Sequence, residues 1–390
     1  MGCYIASNEN RVYVALEPSY CAAGTATAEQ RLPVVKLGLQ QVIERPLRRD
    51  KTGTRTFLGL PSILRKRAVF DLTTYMTAWD PGQSEPSYGT LFRAGLGAAG
   101  LEFPGALVTD VPDELTIQTA TPHALVAGQA VRLGDELRFA AGIVDPSTFV
   151  LNAPFQEAPA LGSELGRTVT YMPSNTLASA TLFDYWNPAE AVQRMVAGAG
   201  VDRVSIQVNG DFHQFRFQGV GADVSDNLTF VSGMAGLTEF PEEPIGPYPE
   251  FSLVPGSLGQ VWLGAVPAKF FTLLKANVTL DNDIDVRTRE FGSMKPKCLV
   301  PGQRRVSVDM DLTSNTDAET NALYEAAAQR SPIGVFFQLG QQAESLCGVY
   351  MPAVVPEIPE FDDDETRLRW RFRDSRAQGI GNDEISIAFG

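Results

Sequence analysis

Few residues of this sequence could carry out acid–base or nucleophilic chemistry. The chain has 390 residues but only two histidines, His123 and His213, which are far apart in the sequence. A Ser-His-Asp hydrolase would need one of these two as its base, and no G-x-S-x-G nucleophile elbow is present. Carboxylates could replace histidine in a glycosidase, but no pair of acids has a suitable sequence context. We therefore predict that the chain is not an enzyme and has no catalytic residue.

The cysteines do not indicate a metal site or a disulfide framework. None of the four belongs to a C-x-x-C pair, and their spacing fits neither a zinc site nor a disulfide-rich domain. We predict reduced thiols, some of them buried as small apolar side chains. They are Cys3, Cys21, Cys298 and Cys347.

Two short motifs resemble ligand-binding loops, but both have a simpler interpretation. Residues 95–100 read G-L-G-A-A-G, yet a dinucleotide site needs a strand before such a motif and a helix after it. Here the preceding residues are helical in character and Pro104 follows, so we predict a helix C-terminus. Residues 281–285 begin like a calcium loop, but Val286 and Gly292 occupy the places of the required Gly and Glu. We predict a turn with solvated acids, with a looser calcium site as the alternative, and no cofactor.

Composition places the chain among globular proteins. Hydrophobic residues make up 44% and charged residues 20% of the sequence, which excludes a disordered chain. Its 32 basic and 46 acidic residues give a net charge of −14, opposite to the balance of a protein that binds nucleic acid by neutralising phosphates. No apolar run approaches the ~20 residues of a membrane-spanning helix, and the N-terminus does not read as a signal peptide. We expect no membrane span.

Alternating apolar and polar residues predict most of the secondary structure as strands. Asn209-Gly210 joins two alternating runs, 204–208 and 211–217, and this is the strongest short hairpin signal. Further strands are predicted at residues 275–280, 305–312, 334–339, 346–351, 366–373 and 384–389. In the run 366–373, Leu368, Trp370 and Phe372 would share one face and four arginines the other.

Helix signals are few. Asp317 is a predicted N-cap for a helix that runs to about Gln329. A second helix is predicted from about Pro188, at the first helical position, to Gly198. A third is predicted from about Gly89 to Leu96. The fold class is therefore mainly β with a few short helices.

The two halves of the chain repeat the same order of parts. In each half a strand precedes a long basic loop, then an alternating strand ending in Asp-Leu-Thr, then a helix with a Leu-aromatic-x-Ala pattern. The loops span residues 44–67 and 283–304. We interpret this order as a duplication. A first domain would comprise residues 1–108 and 173–238, with a small β module inserted at 109–172. A Pro-rich linker at 239–255 would lead to a second domain at 256–390.

Three segments resemble the long-tailed phage major tail tube proteins. Residues 278–284 read V-T-L-D-N-D-I, followed by Gly292 and by L-V-P-G-Q-R-R-V-S-V at 299–308. Residues 200–208 and 215–221 resemble a strand pair common in that family, and residues 383–389 resemble its closing strand. In the inserted module, residues 123–131 and 148–151 resemble small β repeats common in virion proteins. The resemblance implies two tandem β-sandwich or barrel-forming tube domains.

The family resemblance also implies a function and partners. Tube subunits extend their sheets into neighbouring subunits and close a barrel around a lumen, which removes exposed sheet edges. With two tube domains per chain, three chains would form a ring with pseudo-sixfold symmetry; hexameric rings are the alternative. Head-to-tail stacking of rings would give a tube in the virion, made in the host cytoplasm, through which DNA passes without specific binding. Further partners would be the tape measure protein and the tail tip or terminator proteins.

Basic residues and one aromatic residue in the long loops and the last alternating strand are the candidate subunit or ring contacts. They are Arg48, Arg49, Lys51, Arg55, Arg287, Arg289, Phe291, Lys295, Lys297, Arg367, Arg369 and Arg371. Alternative functions are another virion β protein (a tail terminator, baseplate or decoration protein) or a carbohydrate-binding adhesin using Trp186, Trp262 or Trp370. An acidic lumen, in keeping with the net charge, would repel DNA phosphates.

Overall fold

A computed structural model describes residues 5–61, 63–80, 82–186, 192–226, 252–264, 268–269, 272–315, 317–363 and 366–390. Alternation of apolar and polar residues produces strands along about half of this length, as predicted. Two α-helices lie among them, so the mainly β class is confirmed. The predicted linker lies outside the described residues except for residues 252–255.

The strands and helices follow one another in chain order. The first part of the chain forms β1 (Arg11–Leu16), β2 (Arg31–Leu32), β3 (Val34–Ile43), β4 (Lys66–Tyr75), α1 (Gly89–Leu96) and β5 (Leu101–Phe103). Next come β6 (Ala106–Asp110), β7 (Thr116–Thr119), β8 (Ala130–Leu133), β9 (Glu136–Asp145), β10 (Thr148–Leu151) and β11 (Glu164–Leu165). They are followed by β12 (Thr168–Tyr171), β13 (Ala180–Trp186), β14 (Val192–Val208), β15 (Gln214–Gly221) and β16 (Asp223–Asp226).

The remaining elements follow residue 252. They are β17 (Gly259–Gly264), β18 (Ala268–Lys269), β19 (Leu273–Asp281), β20 (Asp285–Val286), β21 (Leu299–Val300) and β22 (Arg305–Thr313). Then come α2 (Ala318–Gln329), β23 (Ile333–Leu339), β24 (Cys347–Val355), β25 (Glu360–Asp362), β26 (Arg369–Ala377) and β27 (Ser386–Phe389). We call β1–β5, α1 and β12–β16 the first half, β6–β11 the inserted sheet, and β17–β27 with α2 the second half.

The two halves have the same strand order. Neighbouring antiparallel strands in the first half run β1-β13-β14-β15-β4-β3. In the second half they run β17-β23-β24-β26-β22-β19. In both halves the helix follows the fifth strand of this order along the chain. A bulge lies at the same place in β3 and β19, opposite the end of β4 and of β22 respectively.

The pairing sets the correspondence between the halves residue by residue. The buried side chains of β4 are Ala68, Phe70, Leu72 and Thr74, and those that follow the same alternation in β22 are Val306, Val308, Met310 and Leu312. Because the bulges of β3 and β19 lie opposite Thr74 and Leu312, these two residues correspond, and Leu72 therefore corresponds to Met310. The sequence comparison had matched Asp71-Leu72-Thr73 with Asp311-Leu312-Thr313, and that match is displaced by two residues. Because the alternation has a period of two, this displacement keeps the faces and is invisible in the sequence.

The inserted sheet is a separate antiparallel sheet with the order β11-β6-β7-β10-β9-β8. Its own core includes Phe103, Ile117 and Phe149. Strand β9 also packs on the second half, where Phe139 contacts Phe336 and Tyr350. The predicted module, residues 109–172, overlaps this sheet, but it begins after β6 has started and ends after β12.

A buried arginine joins the inserted sheet to the second half. Arg138 is fully buried and its guanidinium lies 3.0 Å from Glu136, with Trp262 and Phe336 stacked about it. Gln338 of the second half accepts a hydrogen bond from the Leu137 backbone at 2.9 Å. Burial lowers the pKa of Arg138 to about 10, and the Glu136 carboxylate opposes that change. The charge is retained at neutral pH because it is both paired and hydrogen-bonded.

The predicted first and last helices are confirmed, and the predicted middle helix is wrong. Helix α1 ends at Leu96 with Gly97 as C-cap at φ 96°, as the interpretation of the glycine motif required. Asp317 caps α2 by accepting a hydrogen bond from the Thr320 backbone. Residues 192–198, predicted as helical, form the start of β14, and residues 188–191 of that prediction lie outside the described residues. Strand β13 pairs with one edge of this segment and β16 with the other. The pattern of so short an apolar run suits a helix or a strand, and the pairing on both edges makes it a strand.

Two strand predictions need correction at their ends. The hairpin between β14 and β15 exists, but its last pair is Gln207 with Gln214, so the turn is longer than Asn209-Gly210. The intervening residues contact other segments instead: the Met76 backbone donates to the carbonyl of His213. The strand predicted at 366–373 is β26 and begins at Arg369; Leu368 precedes it and is 43% exposed, whereas Trp370 and Phe372 are buried as predicted.

The aromatic contacts of α1 supply a test of the core. Phe92 is fully buried and its ring lies 5.1–5.3 Å from Phe215, Phe217 and Phe389. Removing it leaves a cavity between the two halves, so Phe92→Ala is expected to lower the free energy of unfolding by about 3–5 kcal/mol. Denaturant unfolding measures this. Phe57→Ala, at a position 71% exposed, is the control and should change little; an equal effect of the two would contradict the assignment.

Candidate assembly surfaces

The two halves meet in one sheet through the end of β14. Its residues 203–208 pair with β19 on one edge, while the other edge pairs with β15. Ile206 lies opposite Val278 across this contact, and both are 1% exposed. We call the β14–β19 pairing the junction. It makes a continuous sheet of β3-β4-β15-β14-β19-β22-β26 that spans both halves.

Other contacts fix the junction in place. The buried Asn282 amide donates to the carbonyls of Gly95 at 2.7 Å and Val201 at 2.9 Å, which ties the end of β19 to α1 and to β14. The last strand, β27, pairs with β24 and with β12 of the first half. Within the described residues, the two halves are therefore joined by two separate strand pairings and a shared core.

Polar side chains cover the side of the continuous sheet that faces away from the core. We call this surface the polar face. Ion pairs cross it from strand to strand: Arg216 with Asp71 at 2.8 Å, Arg203 with Asp281 at 2.6 Å, and Lys275 with Asp311 at 3.2 Å. Arg373 also contacts Asp311, at 2.5 Å, and Arg371 contacts Asp362. Uncharged residues between them are Ser205, Gln207, Gln214, Asn277 and Thr279.

The ion pairs lower the pKa values of their carboxyl groups. The Arg216 guanidinium holds the pKa of Asp71 below its ordinary value. Burial by itself would raise the pKa of Asp311, but the cations of Arg373 and Lys275 outweigh burial and the pKa is lowered. These carboxylates therefore stay ionised and neutralise the neighbouring cations of the polar face.

Two long loops meet at one end of the continuous sheet. They are residues 44–65, between β3 and β4, and residues 282–304, between β19 and β22. The Lys66 backbone donates to the carbonyl of Met294 at 2.9 Å, and the Thr288 hydroxyl lies 3.1 Å from the Glu44 carboxylate. We call them the paired loops. They expose several large apolar side chains: Leu47, Phe57, Leu58, Ile63, Phe291 and Met294.

The structure places most of the predicted contact residues on the paired loops. All nine loop residues of that prediction are exposed, and Phe291 is fully so. Several of the cations have partners within the chain: Arg48 with Asp50 at 2.6 Å, Lys297 with Glu290 at 3.7 Å, and Lys295 with Asp223. The sequence had predicted contacts of these loops with other subunits but missed that the loops contact each other.

The predicted arginines of β26 divide between the polar face and the segment before the strand. Arg371 meets Asp362 of its own chain, as Arg373 meets Asp311. Arg369 is half-buried, and Arg367 is exposed before the strand begins. Arg371 and Arg373 thus have acidic partners within their own chain.

The two histidines have structural contacts. His213 Nε2 lies 2.9 Å from the Leu258 carbonyl, and burial lowers the pKa of its ring. His123 Nδ1 accepts a hydrogen bond from the Leu125 backbone at 2.9 Å. Within the described ranges, no group of three His, Cys, Asp or Glu residues could hold a metal ion. In the same part of the chain, no helix has both the length and the apolar character needed to cross a membrane.

The Asp311 ion pairs predict how stability depends on pH. The pKa of Asp311 is lowered in the folded protein from 3.8, so its contribution is present above pH ~4 and is lost as pH falls through the folded-state value. Between about pH 4 and pH 2, the free energy of unfolding of Asp311→Asn should fall less than that of the unsubstituted protein. Denaturant unfolding measures this difference. Asp363→Asn, at an exposed position, changes net charge equally and is the control. If the free energy of unfolding of Asp311→Asn falls with pH as steeply as that of the unsubstituted protein, the assignment is contradicted.

This chain matches no protein-family model, and no curated protein sequence matches it either.

Proposed function

We propose that this chain is the structural subunit of a phage tail tube, which assembles into rings that stack and conduct DNA. The observation that carries the proposal is the junction, because it continues one sheet from the first half into the second, which repeats the same strand order. A protein that joins two copies of a fold edge to edge within one chain has the geometry to continue the same contact between chains. Repetition of a heterologous contact gives a closed ring when the rotation permits.

In this proposal the polar face lines the channel. A DNA-conducting wall should not hold phosphates, since each phosphate neutralised by Lys or Arg adds affinity. Arg216, Arg203 and Arg373 already pair with aspartates of the same face. The channel would then bind DNA weakly because carboxylates of the same face neutralise its cations. This explanation differs from the acidic lumen that the net charge had suggested.

The paired loops are the proposed contact between successive rings. They project from one end of the sheet and combine exposed cations with exposed apolar side chains such as Phe57, Phe291 and Ile63. Exposed apolar patches of this kind mark interaction surfaces. The net charge of −14 provides acidic surface on a neighbour for the cations of the loops.

The burial of the tryptophans bears on the carbohydrate-binding alternative. Trp262 and Trp370 are each 8% exposed. Trp262 packs on Arg138, and Trp370 contacts the rings of Tyr324 and Phe361. These two rings are not free to stack on a sugar. Another virion protein that forms a single ring remains the second candidate, because the junction supports ring formation equally and only the paired loops favour stacking.

Negative-stain electron microscopy of the purified protein, with its mass in solution, tests the proposal. We expect rings or tubes with a central hole and masses in multiples of three 42.3-kDa chains. Rings that never stack under any condition would favour a terminator or baseplate protein. A strictly monomeric protein would contradict the tube function.

The paired loops supply a separate test of stacking. Phe291→Asp places a charge on a fully exposed aromatic position, so the fold and the rings should persist while tubes shorten or disappear. Leu161→Asp, at a position 70% exposed between β10 and β11, is the matched control and should leave tubes intact. Tube length in micrographs is the measurement, and normal tubes from Phe291→Asp would overturn the role of the loops.

A further inference from the structure

The repeated strand order shows which sheet edges correspond to the two edges of the junction. Strand β19 of the second half corresponds to β3 of the first, since each is the outer neighbour of an equivalent strand, β22 or β4. Strand β14 is continuous over 17 residues. Its counterpart in the second half is divided into β24 and β25, and Pro356 and Pro359 lie between them. Proline interrupts a strand because it lacks the N–H group that a ladder needs.

The pairing identifies the equivalent residues within these strands. Thr74 of β4 lies opposite Phe215, and its equivalent Leu312 lies opposite Trp370. Phe215 in turn lies opposite Ile206, and Trp370 lies opposite Phe361. Phe361 of β25 is therefore the equivalent of Ile206.

The same reasoning applies to the other edge. Phe70 of β4 lies opposite Leu39, and its equivalent Val308 lies opposite Val278. Leu39 of β3 is therefore the equivalent of Val278. Ile206 and Val278 are the central pair of the junction.

The equivalents of the two junction edges are both open in the described part of the chain. There β3 pairs with β4 alone and β25 pairs with β26 alone. Phe361 is 59% exposed, whereas its equivalent Ile206 is 1% exposed. Val35 and Ile43 of β3 are 48% and 45% exposed. An open edge with exposed apolar side chains is a site for pairing with another strand.

We propose that β25 of one chain pairs antiparallel with β3 of a second copy, repeating the junction between chains. The junction register transfers directly: Phe361 lies opposite Leu39, Glu360 opposite Gln40, and Asp362 opposite Gly38 of the partner subunit. The contact buries Phe361 and Leu39 as Ile206 and Val278 are buried within the chain. This inference names the partner in the proposed function and rests on that function for closure as a ring of three chains.

The open edge of β25 and the open edge of β3 are different surfaces. Each chain carries one of each, so the contact between chains is heterologous. A heterologous contact propagates until the ring closes, and closure leaves no open edge at either strand. Because both the junction and the intermolecular contact would join equivalent strands in one register, the polar face would continue from chain to chain without a break.

A disulfide pair tests the register. The double variant Gln40→Cys with Glu360→Cys places two thiols directly opposite each other across the proposed contact, within the Cα separation that a disulfide allows. With a mild oxidant such as diamide we expect covalent dimers and closed trimers that dithiothreitol reverses. Lys36→Cys with Glu360→Cys, displaced by four residues on the same face, is the matched control and should not link. Single-cysteine variants measure links through the native cysteines.

A second variant tests the contact without cysteine chemistry. Phe361→Asp places a charge where the proposed interface excludes water, so rings should be lost while the chain remains folded by circular dichroism and thermal melting. The side chain is largely exposed in the single chain, which is why the fold should tolerate the change. Leu161→Asp serves as the control and should retain rings.

The outcomes separate this inference from the tube function. Rings in micrographs without specific Gln40–Glu360 links, or rings that persist in Phe361→Asp, would overturn the strand pairing and leave the tube function standing. Specific links in rings that never stack would support the pairing and contradict the tube. A protein that neither links nor forms rings would overturn both.

Discussion

The architecture depends on one strand, β14, that pairs with a strand of each half. The last residues of β14 pair with β15 inside the first half and with β19 of the second half, so the two halves share a ladder of backbone hydrogen bonds. Each half alone would leave an open edge there, and an open edge is an aggregation hazard. Asn282 and the aromatic contacts of Phe389 hold the same arrangement from the core side.

Charged side chains on the continuous sheet lie in pairs of opposite sign. The chain is strongly acidic as a whole, yet the polar face alternates arginine or lysine with aspartate between neighbouring strands. Asp311 illustrates the balance: its burial opposes ionisation, and two cations outweigh burial. A face built in this way neutralises its cations locally, and in the proposed tube it would let a polyanion pass without binding.

The inserted sheet explains why β23 of the second half is apolar on both faces. Val335 and Phe337 of β23 face the main core, while Phe336 between them meets Phe139 of the inserted sheet. Arg138 also places a charged group in this contact, where Glu136 and carbonyl groups satisfy it. Such a network fixes the orientation of the inserted sheet, because a displaced arginine would be buried without partners.

The sequence by itself determined the local structure and the repeated order of parts. Alternation along 305–312, the Asp317 cap and Gly97 identify β22, α2 and the end of α1, because each depends on side-chain period or on a single backbone conformation. Tertiary structure alone decided the rest. Residues 192–198 became a strand because two neighbours offered ladder bonds, and the match of Leu72 to Met310 needed the pairing register. Which edges are shared, and which are open among the residues that the structure describes, is likewise set by strands distant in sequence, so no local pattern encodes it.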